Sequence, residues 1–452
     1  MITSWIGYLP AGLRSRIEHR HYVKQIVGNS AWLFADKLVR MGVGLIVGVW
    51  IARYLGPGQF GQLSYAIAFV ALFNAFATLG MDGIVMRDLV RYPEKKNEIL
   101  GSVFALKLTG GGVALLLTFA VIWFLQPGDT KIHWMVGIIA AGMVFQAFDV
   151  ADLWFQANVQ SRFTVVAKNT AFLVLAAVKV CLILRQADVV AFAWAGTAEI
   201  ALGALGLFVA FQLSGNSWTD FRPLRVRMTA LLKECWPLLF SGLAVMLYMR
   251  IDQVMLAEMV GEREVGLYSA ALRLSEVWYV IPTIIVGSTM PYLTEMRAKS
   301  EELYYQRLQQ LFTHLVRIAC IVGILLTFGS SPLIYFLYGE SYSQAAAILT
   351  VHIWAGIFVF LGVAAAPWTV NEGATKFALY QTSLGAFTNI ALNLYLIPLY
   401  GAIGCALATT ISYAISAWIS NSFFPKTRKL FKKQSEAIFN ALNVFKGRLS
   451  EA

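Results

Sequence analysis

Gly56, Gly58 and Gly61 stand in the spacing G-x-G-x-x-G within ARYLGPGQFGQLSYA (52–66), and Asp82 follows about twenty residues later. In a soluble βαβ unit that spacing cradles the pyrophosphate of a dinucleotide, with the later acid on a ribose hydroxyl. Charges also occur inside apolar stretches. FADKLVRMG holds Asp36, Lys37 and Arg40. YMRIDQV holds Arg250 and Asp252, and Arg273 and Glu276 come soon after. In a membrane such groups bind ions, carry protons or neutralise one another.

The dinucleotide turn needs a strand before it and a helix after it. GVGLIVGVWIA precedes the glycines here, closing an apolar run that begins near Asn29, and YAIAFVALFNAFATLG follows them. About 20 apolar residues cross a bilayer as a helix. The glycines therefore lie between two expected spans, where Pro57 suits a helix break better than a phosphate cradle. A tight turn between membrane helices is the expectation.

Of 452 residues, 58% are hydrophobic and 13% charged, with a mean hydropathy of +0.65. A soluble domain has about 25% charged residues. The apolar stretches are continuous rather than alternating, which excludes a barrel and predicts an all-α polytopic membrane protein. Cys181, Cys235, Cys320 and Cys405 are scattered singly, without metal or disulfide spacing. HExxH and GxxxxGK[ST] are absent. No catalytic residue, metal or cofactor is assigned. The N-terminus lacks the order of a cleavable signal and reads as an interfacial segment.

Twelve spans are expected near 29–52, 61–83, 101–125, 132–156, 166–185, 189–213, 235–258, 266–289, 311–337, 343–370, 377–399 and 401–423. The connections and termini on one side then carry 25 Lys and Arg, and those on the other carry four. Under the positive-inside rule this puts both termini in the cytoplasm. The basic tail KTRKLFKKQ accounts for much of the net charge of +11. It reads as an anchor to anionic lipid heads, not as a nucleic-acid site.

The turn has an echo. At an offset of 205, Ala52, Gly56, Gly61, Ser64 and Ala66 meet Ala257, Gly261, Gly266, Ser269 and Ala271. At 214, LWFQANVQSRF (153–163) meets PWTVNEGATKF (367–377). Gly58 becomes Arg263, so the phosphate pattern is lost while the turn persists. A duplicated six-span unit predicts two lobes of like orientation, related by an axis along the membrane normal, with a transport path between them. The expected divisions are an interfacial segment 1–28, a first lobe 29–213, a basic linker 214–230, a second lobe 231–423 and a basic tail 424–452.

Among the charges within spans, Lys107, Lys179 and Arg317 lie near predicted ends and are expected to snorkel. Asp149 and Asp152 approach the end of span 4, and Glu199 lies in span 6. Asp36 and Arg40 are spaced i,i+4 and can pair, with Lys37 displaced around the helix. Arg250 and Asp252 cannot share a helix face, so at least one needs a partner elsewhere. Arg273 and Glu276, at i,i+3, can neutralise each other. For spans 1 and 7 two arrangements stay open: a water-filled central cavity, or buried structural ion pairs.

GNSAWLF, IARYLGPGQFGQLSYA, YMRIDQVMLAEMVGEREVGLYSAALRLSE and LNLYLIPLYGAIGCALATTISY resemble the polysaccharide-transport branch of the multidrug/oligosaccharidyl-lipid/polysaccharide exporter superfamily. O-antigen (Wzx-type) flippases are the nearest type. The similarity runs from about residue 24 to 421. It implies a transporter, not an enzyme. The implied activity is movement of an undecaprenyl-diphosphate-linked oligosaccharide across the bacterial inner membrane, by alternating access between two lobes, in lipopolysaccharide or related polysaccharide biosynthesis. A polymerase and a chain-length regulator of the same pathway are the implied partners.

That substrate suits the residues. Lys37, Arg40, Arg250 and Arg273 are candidates to offset a diphosphate, and guanidinium forks bind phosphate in bidentate fashion. Asp36, Asp252 and Glu276 are candidates for ion coupling or for pairing with the cations. A multidrug exporter of the superfamily is the alternative, although organic cations favour an acidic cavity. A membrane glycan-processing enzyme would need a sizeable catalytic loop, and the outer loops are short.

Overall fold

The computed structural model describes residues 21–449. Most of the expected interfacial segment, up to residue 20, lies outside the described residues. All regular structure within them is helical. The first helix, α1 (His21–Thr78), has 58 residues. Unbroken, it would reach about 87 Å, almost three bilayer cores. Gly56 breaks it, with φ 69° and ψ 170°, a conformation that carries no Cβ penalty for glycine. Pro57 follows and offers no N–H to the ladder. The expected turn is thus a one-residue break.

After α1 come α2 (Asp82–Arg91), α3 (Lys96–Leu125), α4 (Thr130–Phe145), α5 (Val150–Ala157), α6 (Arg162–Leu184) and α7 (Val189–Leu213). The chain continues through α8 (Arg225–Met259), α9 (Glu262–Glu276), α10 (Val280–Lys299), α11 (Glu301–Tyr338), α12 (Ala345–His352), α13 (Ala355–Ala364) and α14 (Ala366–Asn371). It closes with α15 (Thr375–Ala417) and α16 (Arg428–Leu449). Side chains cap some starts: Asp129 accepts from Ile132 N at 3.0 Å, and Ser300 from Leu303 N at 3.4 Å.

Ten helical segments among the described residues are long and apolar enough to cross a membrane. Two of them, Asp36–Arg91 and Lys376–Ser422, contain Gly56 and Gly401, where φ is 69° and 56°. Divided at those glycines, the set is compatible with twelve crossings. Large apolar side chains lie on the outside, such as Leu116 at 71% and Phe124 at 83% exposure. In a multi-pass membrane protein these meet lipid tails, which are as apolar as they are.

The chain forms two compact units. One comprises the chain up to Gly48 and Phe73–Leu243; the other comprises Val49–Leu72 and the chain from Ala244 onward. Their edges fall inside α1 and α8, at other positions than the limits of the expected lobes, 29–213 and 231–423.

In the first unit, the expected linker is packed rather than loose. Trp218 stacks on Phe208 at 5.4 Å, lies against Phe104, Phe211 and Phe221, and donates its indole N–H to Phe208 O at 3.2 Å. Beside it Asp88, 6% exposed, accepts from Arg227 at 2.7 Å and Arg87 at 2.9 Å. Removing Asp88 leaves Arg227 without its carboxylate, while Arg87 is half-exposed and keeps Glu234 at 2.6 Å, so the cost falls below the about 3–5 kcal/mol of a fully buried pair. Asp88→Ala is therefore expected to lower the thermal midpoint of the purified protein. An unchanged midpoint would show that Arg87 and Arg227 are satisfied without it.

In the second unit the basic tail is a docked helix. Leu430, Ala437 and Ala441 of α16 are buried with Tyr304, Leu308 and Phe312 of α11. Lys429 bonds Glu301 at 2.7 Å and lies 3.6 Å over the Tyr305 ring. Arg428, Lys429 and Lys432 remain exposed.

This unit also contains the glycine turn and its echo. A Cβ on Gly61 would overlap Glu262 O, and one on Gly266 would overlap Pro57 O. At the offset of 205, Gly61 corresponds to Gly266 and Pro57 to Glu262. The contact is therefore reciprocal, as across a two-fold axis. Nothing lies within 4 Å of a Cβ on Gly58. In a dinucleotide site that middle glycine is the one the pyrophosphate approaches. Here it is the indifferent one.

Candidate functional site

The first unit gathers charges around a cavity of about 240 Å³ lined by Arg40, Gln146, Asp149, Lys168, Glu199 and Gly203, among others. Helical spacing brings Asp36 and Arg40 together, as the sequence predicts: Arg40 Nε donates to Asp36 Oδ1 at 2.9 Å. Arg40 Nη1 also lies 3.9 Å from Glu199 Oε1 of α7, and the guanidinium sits 5.1 Å from the centre of the Phe172 ring. Lys179 of α6 holds the other Glu199 oxygen at 2.8 Å. Its partner is thus inside the unit, and it does not need to snorkel. Lys107 has a buried side chain and reaches Asp82 at 2.7 Å, beyond the end of α1.

Lys168, at the start of the expected span 166–185, has no role assigned from the sequence. It belongs to α6, and its ammonium bridges Asp149 at 2.8 Å and Asp152 at 2.9 Å. A short 3-10 turn, Gln146–Asp149, joins α4 to α5 and turns both acids toward α6. Gln146 Nε2 donates to Asn74 Oδ1 at 2.8 Å, and Gln156 Nε2 donates to Asp152 at 2.9 Å. Asp149 and Asp152 are spaced i,i+3 beside a short connection with a lysine just past it. That was the signal for this cluster, and it reads equally well as a solvated loop.

Cations and carboxylates alternate across this site: Arg40 between Asp36 and Glu199, Lys168 between Asp149 and Asp152. An anion entering the cavity finds its donors already engaged, so it binds by displacing carboxylates from them. The released acids are then met by water, a proton or a metal cation.

The other expected site residues lie outside this cavity. Lys37 lies on the exposed side of α1. Asp252 is 3% exposed and accepts from Tyr268 Oη, from Gln253 N at 2.8 Å and from Thr409 Oγ1 at 3.4 Å. Hydroxyl and amide donors satisfy it. Arg250 is half-buried on the same helix, and Asp252 and Glu276 feel its charge. Arg273 lies 5.5 Å from the centre of the Phe60 ring, and its Nη1 has no hydrogen-bond partner among the described residues. Glu276 feels Arg273 only through space, so their expected neutralisation is no close ion pair among the described residues.

Comparison with known proteins adds three kinds of likeness. A family model described as "Polysaccharide biosynthesis protein" matches residues 26–297, and the MatE model matches 237–395. The probable flippase AglR of Haloferax volcanii is 22% identical over 410 residues, covering 88% of this chain and 83% of that protein. Among solved structures, an inward-facing multidrug resistance MATE family transporter aligns with a TM-score of 0.71 at 15% identity, covering 88% of this chain and 95% of the other. The lipid II flippase MurJ in an inward closed conformation aligns at 0.63 and 17%, covering 93% of each chain. At these identities the likeness is one of fold.

Proposed function

Because the chain belongs to the polysaccharide biosynthesis protein family, we propose that it is a flippase. It moves an undecaprenyl-diphosphate-linked oligosaccharide, an O-antigen-type repeat unit, from the cytoplasmic to the outer leaflet of the bacterial inner membrane. It works by alternating access between two six-helix lobes, 29–213 and 231–423, with both termini in the cytoplasm. It is a transporter and catalyses no covalent step. One observation carries this: a charged cavity stands among membrane-crossing helices, with Arg40 and Lys168 on its wall. A bare diphosphate or glycan in lipid costs several kcal/mol per unpaired polar group, and such a cavity removes that cost.

Arg40 is the first phosphate ligand and Lys168 joins it. Arg250 and Arg273 serve the anion at other stages, and Lys37 meets it at the membrane surface. Asp36 accepts the compensating cation when Arg40 turns to phosphate, with Asp252 and Glu276 as further candidates for coupling. A pathway polymerase and chain-length regulator take the product. The name of AglR supports the flippase reading. The MatE match to the second half supports drug export as the second reading. The basic groups on the cavity wall disfavour that, since they repel organic cations.

Deletion of the gene in its native host tests the proposal. Lipid-linked repeat unit is expected to accumulate on the cytoplasmic side, with surface polysaccharide lost. Unchanged surface glycan together with new drug sensitivity would overturn it in favour of drug export.

A further inference from the structure

The charged cavity has a counterpart in the second unit, found by following the repeat. Backbone geometry obeys the same offsets as the sequence. Gly56 and Gly261, 205 apart, both have positive φ, 69° and 118°. Val159 and Gly373, 214 apart, do as well, at 57° and 59°. α5 ends at Ala157 and α14 at Asn371, again 214 apart. Carried across, Arg40 falls on Val245, Phe145 on Val359, Asp149 on Val363 and Lys168 on Thr382. All four of these second-copy residues line one cavity of about 480 Å³. Asp152, the other partner of Lys168, falls on Ala366, which lines it too. The last long helix of each copy closes the wall, with Glu199 in one cavity and Tyr413 in the other.

Corresponding places in the two copies are therefore both hollow, and their chemistry is reversed. None of the five charges, Arg40, Asp149, Asp152, Lys168 and Glu199, has a charged counterpart. The second cavity falls within the about 300–1,000 Å³ of small-ligand sites. Several of its polar wall groups are engaged with the protein, while the Tyr279 hydroxyl is buried with no hydrogen-bond partner among the described residues. Thr382 Oγ1 donates to Ala378 O at 3.0 Å, and Thr369 Oγ1 to Ala365 O at 3.1 Å. Ser416 Oγ donates to Gln381 O at 3.0 Å, and the Gln381 amide bonds Asn421. A sugar placed there would find the Tyr279 hydroxyl but leave most of its own hydroxyls unmet, and an anion would find no cation on the wall. A branched hydrocarbon loses nothing, and the aromatic wall, with the Tyr248 and Tyr413 rings 4.9 Å apart, offers it dispersion contacts.

We infer that the second-unit cavity receives part of the isoprenoid chain of the transported lipid. This rests on the flippase reading above. Duplication supplied two hollows, and substitution left one charged and the other apolar.

Binding of two probes to the purified protein separates the claims: undecaprenyl diphosphate, and dimethylallyl diphosphate with its single isoprene unit. Ala366→Phe and Val363→Phe fill the cavity. Each is expected to weaken undecaprenyl diphosphate about tenfold, roughly the loss of two buried methylene groups, and to leave dimethylallyl diphosphate unchanged. Val363→Thr keeps the volume and makes the wall polar, so it should act in the same direction with little risk to folding. Arg40→Ala should weaken both probes alike. If the cavity variants weaken neither probe, or both equally, the inference is overturned. If Arg40→Ala changes neither probe, the charged cavity is not the diphosphate site and the flippase reading loses its support. In that case the contrast between long and short chains still decides the inference.

Discussion

Arg40→Ala is expected to cut glycan translocation by about ten- to a hundredfold with normal protein abundance, the range set by losing one charge-assisted hydrogen bond of about 1.5–3 kcal/mol. The structure indicates why the fold should survive. Glu199 keeps Lys179 at 2.8 Å, and the Asp36 side chain is 25% exposed, so water can reach it. Arg40→Lys keeps the charge and loses the planar fork, so it should recover part of the activity. Lys131→Ala removes a cation from an exposed pair with Asp188 and should be near neutral. The competing possibility is that Arg40 exists only to neutralise Asp36. Then Arg40→Ala should reduce abundance, and Asp36→Ala/Arg40→Ala should restore both abundance and export. Recovery of that kind would remove Arg40 from the substrate path.

The second large effect is expected at the paired glycines. Gly61→Ala and Gly266→Ala each place a methyl group where a carbonyl oxygen of the facing segment already lies. Neither clash is at the tip of a flexible side chain, so the backbones must separate. Overpacking of this kind costs about 1–3 kcal/mol, enough to shift a two-state equilibrium by ten- to a hundredfold. Both variants should lose most translocation, and a spin-label pair flanking the two turns should report a longer distance. Gly58→Ala is the matched control, three residues before Gly61 in open space, and should transport normally. Equal behaviour of Gly58→Ala and Gly61→Ala would show that the close approach has no bearing on transport.

The glycine turn illustrates how far reading residues along a chain can go. Its flanks are apolar and of membrane length, and that alone excluded a dinucleotide site. Lipid accepts only internally hydrogen-bonded backbone, so composition dictated helices. The repeat was visible too, because turn residues must recur where the backbone needs positive φ. The Asp36–Arg40 pair followed from helical spacing, which is local. What spacing cannot express is which helix lies opposite. Lys168 carries no signal of its own in the sequence, and α4, α5 and α6 place it between Asp149 and Asp152. Lys179 looked like a snorkelling residue until Glu199 of α7 faced it. Asp252 looked like a partner for a cation, and it is held by Tyr268 and Thr409 instead. Gly61 looked like part of a motif, and its constraint comes from Glu262, some two hundred residues away. An intramembrane charge must find a partner, since its desolvation is costly, but the choice among partners rests on how the helices pack. Packing depends on the summed shape of many side chains, and no short stretch of sequence carries that sum.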